Sequence, residues 1–460
     1  MNKHLLPLIL TIAVLVAACA APATPAPAPT TAPQPVATTA PQPTATTAPK
    51  PTATAVPPTV PPKPVEIQFW HAQSQAQEKA INALVEKFNA THPDIKVVAT
   101  FQGNYTDLFK KNTAAIAAGS PPDLSVAYQN ETANYVKSDA VIALDDLMKD
   151  PKIGFTDADL KDIFPAFIDR YPQFGGKVYS LAFMRSMEVM FYNVDMLKSA
   201  GFDKPPETWD DFMKVCAALS KPPDVVCYEM PGSGAASTFA TWVFSRGGDL
   251  ISADGKTVAF DQKPGLDALN TLNDMFTKKY AIIQAKAYQD QTDFSLGKVV
   301  FTFGSTAGLP YYATAIKDAG KVTNWSIAPA PHSTKDPVVD VYGPSVTIFK
   351  TTSEKQRAAF VFIKWLMDKE ANAEWVKASS YFSARASTKE ALGDFIKANP
   401  LYGNAYDWLK YGRGEPTTSA WSPIRTVIGD AMVAVANGKA APDAALKEAV
   451  KKANEALAGQ

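Results

Sequence analysis

Apolar residues in the body of the chain follow first a strand period and then a helix period. They alternate over residues 65–69, as in a β-strand with one buried face, and then recur every three to four positions over 81–88, as in a helix. His92-Pro93-Asp94 ends that helix, and a β-branched run over 95–100 predicts a second strand. The pattern therefore begins as β-α-β.

A further helix and strand continue this order. A helical pattern covers 106–118 and ends at Gly119, and a short strand fits 124–128. The order β-α-β-α-β predicts a parallel sheet with helices on both faces, whose ligand crevice lies at the carboxyl ends of the strands. The loops at those ends are Trp70-His71, Gly103-Asn104-Tyr105 and Tyr128-Gln129.

The N-terminal apolar run is of another kind. Lys3 and His4 precede an apolar stretch over 5–16, which has the length of a signal peptide. Small residues before Cys19 resemble the lipobox of bacterial lipoproteins, so residues 1–18 are predicted to be a lipoprotein signal peptide and Cys19 the lipidation site. The alternative is an ordinary secretory signal with an incidental Cys19. Both predict export.

Residues 19–64 are predicted to be a disordered tether that begins with the lipidated cysteine. They are almost entirely Pro, Ala, Thr and Gln, with a near-repeat of eight residues, and they cannot bury enough surface to offset chain entropy. A mucin-like glycosylated stalk is the competing interpretation of this composition. The lipobox favours a bacterial spacer.

Length and charge narrow the function of the remainder. The chain has 460 residues, and the part beyond the tether is too long for one core, which favours two lobes. The whole chain carries 45 Lys+Arg and 45 Asp+Glu without long charge runs, which argues against nucleic acid as a partner. Cys216 and Cys227 are the cysteines beyond the signal region, and their spacing leaves a disulfide open.

No catalytic or metal-binding pattern emerges from the sequence. His71, His92 and His332 are far apart, and the nucleophile-elbow, P-loop and dinucleotide motifs are missing. We predict no catalytic residue, metal or cofactor. The competing class is an exported carbohydrate-active hydrolase, whose acids would come from a set such as Asp145, Asp249 and Asp293 and would need two carboxyls roughly 5–10 Å apart across a cleft.

Aromatic residues at predicted loops and helix starts suggest binding. Flat rings with polar edges suit sugar and polyol faces. Trp70, His71 and Trp209 are therefore candidate ligand contacts, with core packing as the alternative for each.

Short motifs spread over nearly the whole body resemble one known family. They are Phe69-Trp70-His71, Phe88-Asn89-Ala90-Thr91-His92-Pro93, Gly103-Asn104-Tyr105, Phe191-Tyr192-Asn193, Pro205-Pro206-Glu207-Thr208-Trp209 and the terminal run 424–457. The chain is similar to the extracellular solute-binding proteins of family 1, which are lipoprotein or periplasmic receptors of ABC importers. It most resembles the glycerol-3-phosphate-binding branch, related to the maltose and oligosaccharide receptors.

The resemblance implies an α/β, two-lobe periplasmic-binding-protein fold of type II, like maltose-binding protein. Its lobes are discontinuous and joined at a hinge that closes on the ligand. Lobe 1 is expected over 65–180 plus 342–380, and lobe 2 over 181–341 plus 381–460.

The resemblance also implies a ligand-binding set, carried over position by position. The set is Tyr105, Gln129, Ser186, Ser305, Gly343, Tyr381 and Arg425. Gln129 departs from the branch, which has an acidic residue there, and this leaves the ligand open. Arg425 could bind a phosphate with two parallel hydrogen bonds, and the alternative for this residue is an interlobe or surface salt bridge. A neutral oligosaccharide could instead use the aromatics and the Gln129 amide.

The function implied is capture of a sugar or polyol phosphate without turnover and its delivery to ABC permease subunits in the membrane. The protein is expected to be a monomer outside the cytoplasm, held to the bacterial cell membrane by its lipid, at the cell surface or in the periplasm.

Overall fold

A computed structural model describes residues 63–232, 235–286 and 288–459. The predicted signal peptide, Cys19 and all but the last two residues of the predicted tether lie outside the described residues. The body is therefore the part for which the structure tests the sequence patterns.

Strands and helices alternate along the body. The strands are β1 (Val65–His71), β2 (Ile95–Phe101), β3 (Leu124–Ala127), β4 (Ile168–Tyr171), β5 (Lys177–Leu181), β6 (Ser186–Asn193), β7 (Val226–Met230), β8 (Ala281–Ile283), β9 (Val299–Ser305), β10 (Trp325–Ala328), β11 (Val339–Tyr342), β12 (Ser345–Ile348) and β13 (Gly412–Gly414). The first nine helices are α1 (Gln75–Thr91), α2 (Tyr105–Ala117), α3 (Gln129–Lys137), α4 (Asp145–Met148), α5 (Asp157–Asp162), α6 (Val194–Ser199), α7 (Trp209–Leu219), α8 (Ala235–Phe244) and α9 (Lys263–Thr277). The remaining helices are α10 (Gln289–Ser295), α11 (Leu309–Ala319), α12 (Ser353–Leu366), α13 (Lys369–Ser379), α14 (Thr388–Ala391), α15 (Gly393–Ala398), α16 (Pro400–Trp408), α17 (Trp421–Ala436) and α18 (Pro442–Ala458).

The first sheet has the strand order β2-β1-β3-β12-β5-β4. β1 runs parallel to β2 and β3, which confirms the β-α-β-α-β interpretation for these strands. β12 is antiparallel to β3 and β5, and β4 is antiparallel to β5. The expectation of a parallel sheet is therefore wrong for β12, β5 and β4, which form the other half of this sheet. β4 and β5 are sequence neighbours that pair as a hairpin, and β12 returns from the other sheet.

The second sheet has the order β13-β11-β6-β9-β7-β8, and β10 also pairs with β6. β7 runs parallel to β8 and β9, whereas β6 is antiparallel to β9, β10 and β11. The long strand β6 therefore organises this sheet.

Two short crossovers join the sheets. One covers residues 182–185 between β5 and β6, and the other is Gly343-Pro344 between β11 and β12. Sheet membership changes within a few residues of the lobe boundaries expected at 180/181 and 341/342. Beyond the third expected boundary, at 380/381, Phe382 and Tyr406 still pack in the core that contains the first sheet.

Local chemistry explains the helices that present the site. The buried face of α1 consists of the residues that carry the helical period, Ile81, Leu84, Val85 and Phe88. Asn104 begins α2 because its side chain accepts a hydrogen bond from the backbone nitrogen of Asp107 at 3.0 Å. The fold thus holds Tyr105 at the first position of α2.

Cys216 on α7 and Cys227 on β7 are joined by a disulfide in the core of the second sheet. This answers the question that their spacing left open. Within the described ranges, no helix has the length and apolar character needed to cross a membrane.

Candidate functional site

Two tyrosines meet beside the carboxyl ends of β1 and β3, and a third, Tyr381, is within electrostatic reach of both. Tyr105 and Tyr128 pack edge to face with ring centroids 5.1 Å apart, and Gln73 Nε2 donates to Tyr105 Oη at 3.1 Å. Burial raises the pKa of both phenols, and the nearby Tyr381 adds to the shift in each. These residues, called the tyrosine cluster below, therefore stay protonated and can donate hydrogen bonds at neutral pH.

Trp70 and His71 are the last two residues of β1. Trp70 is half-buried, and its carbonyl accepts from Ser125 Oγ at 3.3 Å. His71 is buried, and no partner of its Nδ1 is found in the described part of the chain. Burial lowers the pKa of His71 to about 4, so the ring is neutral at physiological pH.

Trp209, the third aromatic candidate, lies in the hydrophobic core of the second sheet. It is buried against Trp242 and Phe212, and the Arg246 guanidinium lies 3.8 Å from its ring centroid. The structure does not bring Trp209 to the other site residues, because its ring faces are used in packing.

The buried acid Glu188, on β6, accepts hydrogen bonds from two neighbouring side chains. Tyr342 Oη donates to its Oε2 at 2.8 Å, and Thr238 Oγ1 donates to its Oε1 at 2.9 Å. Burial raises the pKa of Glu188 to about 7 despite these bonds. The register of β6 sets Glu188 opposite Ser305 on β9 and Ser186 opposite Tyr342 on β11. Two predicted site serines thus flank Glu188.

Arg425 on α17 is paired with Glu415, in the loop before that helix. The Arg425 side chain is 32% exposed and that of Glu415 is 11% exposed. Arg425 Nη2 also donates to Ser237 Oγ at 3.1 Å, and Trp421 Nε1 donates to Glu415 Oε2 at 2.9 Å. Both charges contribute to the pKa of Tyr128, so this Glu415–Arg425 pair is within electrostatic reach of the tyrosine cluster.

Arg185, in the first crossover, forms a different ion pair with Asp169 on β4. Its N–O distance is 2.7 Å, and the side chains are 0% and 6% exposed. The guanidinium also donates to the carbonyl of Gly343 and, at 2.9 Å, to Ser345 Oγ. Gly343 has φ +142°, a conformation that glycine adopts easily.

Gln129 belongs to this buried network. Its Nε2 lies 3.4 Å from Asp169 Oδ1, and with the amide turned over its oxygen accepts from Arg185 Nη2 at 2.7 Å. The structure thus groups Gln129 and Gly343 at the crossovers, Tyr105 and Tyr381 in the tyrosine cluster, and Ser186 and Ser305 around Glu188.

Sequence reasoning missed the carboxylates Glu188 and Glu415 and the pair Arg185–Asp169. Glu415 follows a short Gly-Arg-Gly strand and precedes proline, a context that is typical of an ordinary turn. The positions of Glu188 and Arg185 beside the crossovers depend on strand pairing between distant segments, for which the local pattern has no signal.

The acids that the hydrolase alternative would use are engaged elsewhere. Asp145 accepts from the backbone nitrogen of Val178 at 2.9 Å, Asp249 pairs with Arg413, and Asp293 accepts from Gln289 at 3.0 Å. In the residues that the structure describes, no group of three His, Cys, Asp or Glu could hold a metal ion.

A cleft of about 650 Å³ opens beside Ser305 and is lined mainly by the loop before α10 and the start of α11. Tyr311, in its wall, contributes to the raised pKa of Tyr381. This wall of the cleft is therefore within electrostatic reach of Tyr381.

Comparisons with known proteins agree with this architecture. The family model described as bacterial extracellular solute-binding protein matches residues 83–404. The sn-glycerol-3-phosphate-binding periplasmic protein UgpB of Yersinia pseudotuberculosis is 25% identical over 85% of this chain and 92% of its own length. The UgpB of Escherichia coli K12 is 26% identical over the same shares.

Solved structures share the fold. The cyclic alpha-maltosyl-1,6-maltose binding protein of Arthrobacter globiformis superposes with a TM-score of 0.75 at 20% identity, over 86% of this chain and all of that one. UgpB of Mycobacterium tuberculosis, in complex with glycerophosphocholine, gives 0.71 at 20% identity, over 86% of this chain and 99% of that one. The chain therefore belongs to the bacterial extracellular solute-binding proteins, which serve ABC importers, and it binds a solute rather than converting one.

Proposed function

We propose that the chain binds a neutral, polyhydroxylated solute of the carbohydrate class between the tyrosine cluster and the Glu415–Arg425 pair. The observation that carries this proposal is the charge already balanced at the pair, since the Arg425 guanidinium contacts the Glu415 carboxylate. Ser237 bridges the two, donating to Glu415 at 2.9 Å. The pair offers both donors and acceptors, which suits hydroxyl groups, but its positive charge is compensated.

The tyrosine cluster supports the same class of ligand. Its neutral phenols combine flat apolar faces with hydroxyl donors, and sugars present both apolar ring faces and hydroxyls. Bound solute would contact groups carried by both sheets. Because such contacts exist only when both sides are engaged, the solute would stabilise a closed state through differential affinity, and the ABC permease would read that state.

A glycerol phosphate is the second candidate, and two observations favour it. The curated relatives are named for glycerol 3-phosphate, and Arg425, the residue that the resemblance assigns to the ligand, remains about one-third exposed. A phosphate would have to compete with Glu415 for this guanidinium.

Calorimetric titration of the purified body with neutral oligosaccharides and with glycerol 3-phosphate separates the candidates. We expect a neutral sugar to bind, and Glu415→Gln and Arg425→Ala each to weaken it by about 1–3 kcal/mol, because each leaves a polar partner unpaired. Neither variant should form product from the bound sugar.

Lys452→Ala is the control for the loss of an exposed cation–carboxylate contact, since Lys452 pairs with Glu448 on the exposed face of α18. It should bind like the unaltered chain. The proposal would be contradicted by tight binding of glycerol 3-phosphate alone, with a loss of about 2–5 kcal/mol in Arg425→Ala and stronger binding in Glu415→Gln, which frees the guanidinium.

We also infer that the protein is held to the membrane by acylation of Cys19, because small residues precede this cysteine and a spacer-like composition follows it. Cys19→Ser should abolish incorporation of a labelled fatty acid and release the chain from membranes. Unchanged label in this variant would refute the assignment.

We further infer that the protein is a monomer. Light scattering of the purified body should give the mass of one chain, and the mass of a dimer would refute this inference.

A further inference from the structure

Two buried acids, Asp340 and Glu188, lie side by side in the second sheet. β11 and β6 are antiparallel, with Tyr342 opposite Ser186. Continuing this register by two residues sets Asp340 opposite Glu188. Side chains that are directly opposite in an antiparallel pair share one face of the sheet, with Cβ atoms about 4.5–5.5 Å apart. The bond from Tyr342 to Glu188 lies on this face, so the two carboxyl groups are neighbours.

The two acids differ in their hydrogen bonds. Asp340 is 0% exposed and Glu188 is 3% exposed. Glu188 accepts from Tyr342 and from Thr238, whereas neither carboxyl oxygen of Asp340 has a partner among the residues that the structure describes. An ionised carboxylate is costly to bury without a partner. Asp340 is therefore the acid that keeps a proton when Glu188 ionises, and its hydroxyl can donate to the remaining lone pairs of the Glu188 carboxylate.

The charges around the two acids leave a second negative charge poorly compensated. The nearby guanidinium groups are each paired with another carboxylate, as Arg185–Asp169, Arg425–Glu415 and Arg413–Asp249, the last lying opposite Asp340 in the register of β13. Burial, with the charges of Glu415 and Glu188, raises the pKa of Asp340 well above its usual value. Burial also raises the pKa of the phenols that face Glu188, which are Tyr228, Tyr312 and Tyr342.

The start of α8 connects these acids to the Glu415–Arg425 pair. Thr238 donates to Glu188 at 2.9 Å. The preceding residue, Ser237, donates to Glu415 at 2.9 Å and accepts from Arg425 at 3.1 Å. Two adjacent residues of one helical turn therefore hold the buried acid and the partly exposed ion pair, so a shift of the Glu188 carboxylate is transmitted to that pair.

We propose that Asp340 and Glu188 titrate as a dyad that keeps one shared proton after the first is lost, and that this proton positions the Glu415–Arg425 pair through the first turn of α8. When the shared proton leaves, two adjacent carboxylates repel each other, and the contact between Glu188 and Thr238 is disturbed. Because the Glu415–Arg425 pair is the proposed solute contact, the proton would make solute binding pH-dependent. This last consequence rests on the proposed function, whereas the dyad does not.

Trp421 reports on the ion pair without any solute, because its Nε1 donates to Glu415 at 2.9 Å. The test follows the indole signals of the purified protein, labelled with nitrogen-15 at tryptophan, by NMR from about pH 5 to about pH 10. Trp421→Phe identifies the signal. In the unaltered chain this signal should shift in two steps, the first near pH 7, where Glu188 ionises, and the second at higher pH.

Each acid is then removed in turn. Asp340→Asn should abolish the second step of the Trp421 signal. Glu188→Gln should abolish the first step and move the remaining one to lower pH by at least about one pH unit, because the neighbouring negative charge is gone. Carbon-13 labelling of aspartate in the unaltered protein follows the Asp340 carboxyl directly and needs no substitution.

Asp274→Asn is the matched control, since Asp274 pairs with Lys278 on α9 and its side chain is 54% exposed. This variant should keep both steps of the Trp421 signal at the same pH as the unaltered chain. Circular dichroism establishes that each variant is folded at every pH used.

The outcomes separate the two parts of the proposal. An Asp340 carboxyl that titrates like an ordinary aspartate, or a remaining step that stays in place in Glu188→Gln, would overturn the shared proton. A Trp421 signal that stays fixed while both acids titrate would overturn the link to the Glu415–Arg425 pair. No solute is present, so neither result depends on whether the proposed function holds.

Discussion

Two arginine–carboxylate pairs of the same chemistry have opposite surroundings in this protein. The Arg185–Asp169 pair is buried, and its remaining hydrogen bonds go to Ser345, the Gly343 carbonyl and the amide of Gln129. The Glu415–Arg425 pair is partly exposed, and its neighbours Ser237 and Trp421 leave part of the guanidinium open to solvent.

The difference shows that the chemistry of an ion pair does not decide its role. A buried pair that also bonds to other chain segments fixes the position of those segments. A pair with donors open to solvent can instead exchange some of its contacts for those of a ligand. The two arginines therefore differ in burial, and Arg425 is the one that we propose for the solute, although both look alike in the sequence.

Removing the buried arginine should have the largest effect. Arg185→Ala leaves the Asp169 carboxylate buried without its cation, so we expect the free energy of unfolding to fall by about 3–5 kcal/mol. Denaturant titration measures this. Arg413→Ala is the control because the side chains of Arg413 and its partner Asp249 are 39% and 46% exposed, and it should cost less than about 1 kcal/mol. Equal losses of unfolding free energy in Arg185→Ala and Arg413→Ala would refute the distinction between buried and exposed pairs.

The buried acid Glu188, within electrostatic reach of the Glu415–Arg425 pair, should make stability depend on pH. The pKa of Glu188 is raised from 4.5 to about 7, so the folded chain retains a proton that the unfolded chain releases. This contribution is full below pH 4.5 and is lost as pH rises through 7, with a total of about 3 kcal/mol. Glu188→Gln should remove that part of the slope, measured by denaturant titration from pH 4 to 8.

Glu131 and Glu229 also have raised pKa values, of about 7 and 8, because of burial. These two acids should contribute a pH dependence of the same sign to the stability of the Glu188→Gln variant and of the unaltered protein. The informative quantity is therefore the difference in unfolding free energy between these two proteins at each pH. An exposed-site control, Glu448→Gln, should keep the full slope. If the unfolding free energy of Glu188→Gln changed with pH in parallel with that of the unaltered chain, the raised pKa of Glu188 would be contradicted.

A smaller effect should follow from restoring an acid at position 129. Gln129→Glu adds a carboxylate beside Asp169 with one guanidinium to serve both, so we expect a loss of about 1–3 kcal/mol in unfolding free energy. The exposed change Gln262→Glu should stay within about 0.5 kcal/mol. If Gln129→Glu alters solute affinity while stability is unchanged, then Gln129 serves the ligand rather than the Arg185 network.

The sequence predicted the first half of the first sheet well, because its signals are local. The apolar face of α1 and the β-branched run of β2 each lie within the element that they specify. The tyrosines at the strand ends followed from the same pattern. The individual ligand contacts in the implied set remain predictions.

The other half of the sheet and the carboxylates of the site could not be predicted in this way. β12 lies between β3 and β5, and its place depends on a partner that is distant in sequence. Glu415 becomes part of a site only when α17 brings Arg425 to it. Such positions are set by tertiary pairing, which neither periodicity nor short motifs encode.

The central position of β12 also constrains the order of events during synthesis. β12 fills the gap between β3 and β5, yet it leaves the ribosome after every strand of the second sheet except β13. The N-terminal sheet therefore cannot be completed while the N-terminal half of the chain is being made. The edges of β3 and β5 that will face β12 therefore stay unpaired with it until the other sheet has almost entirely emerged.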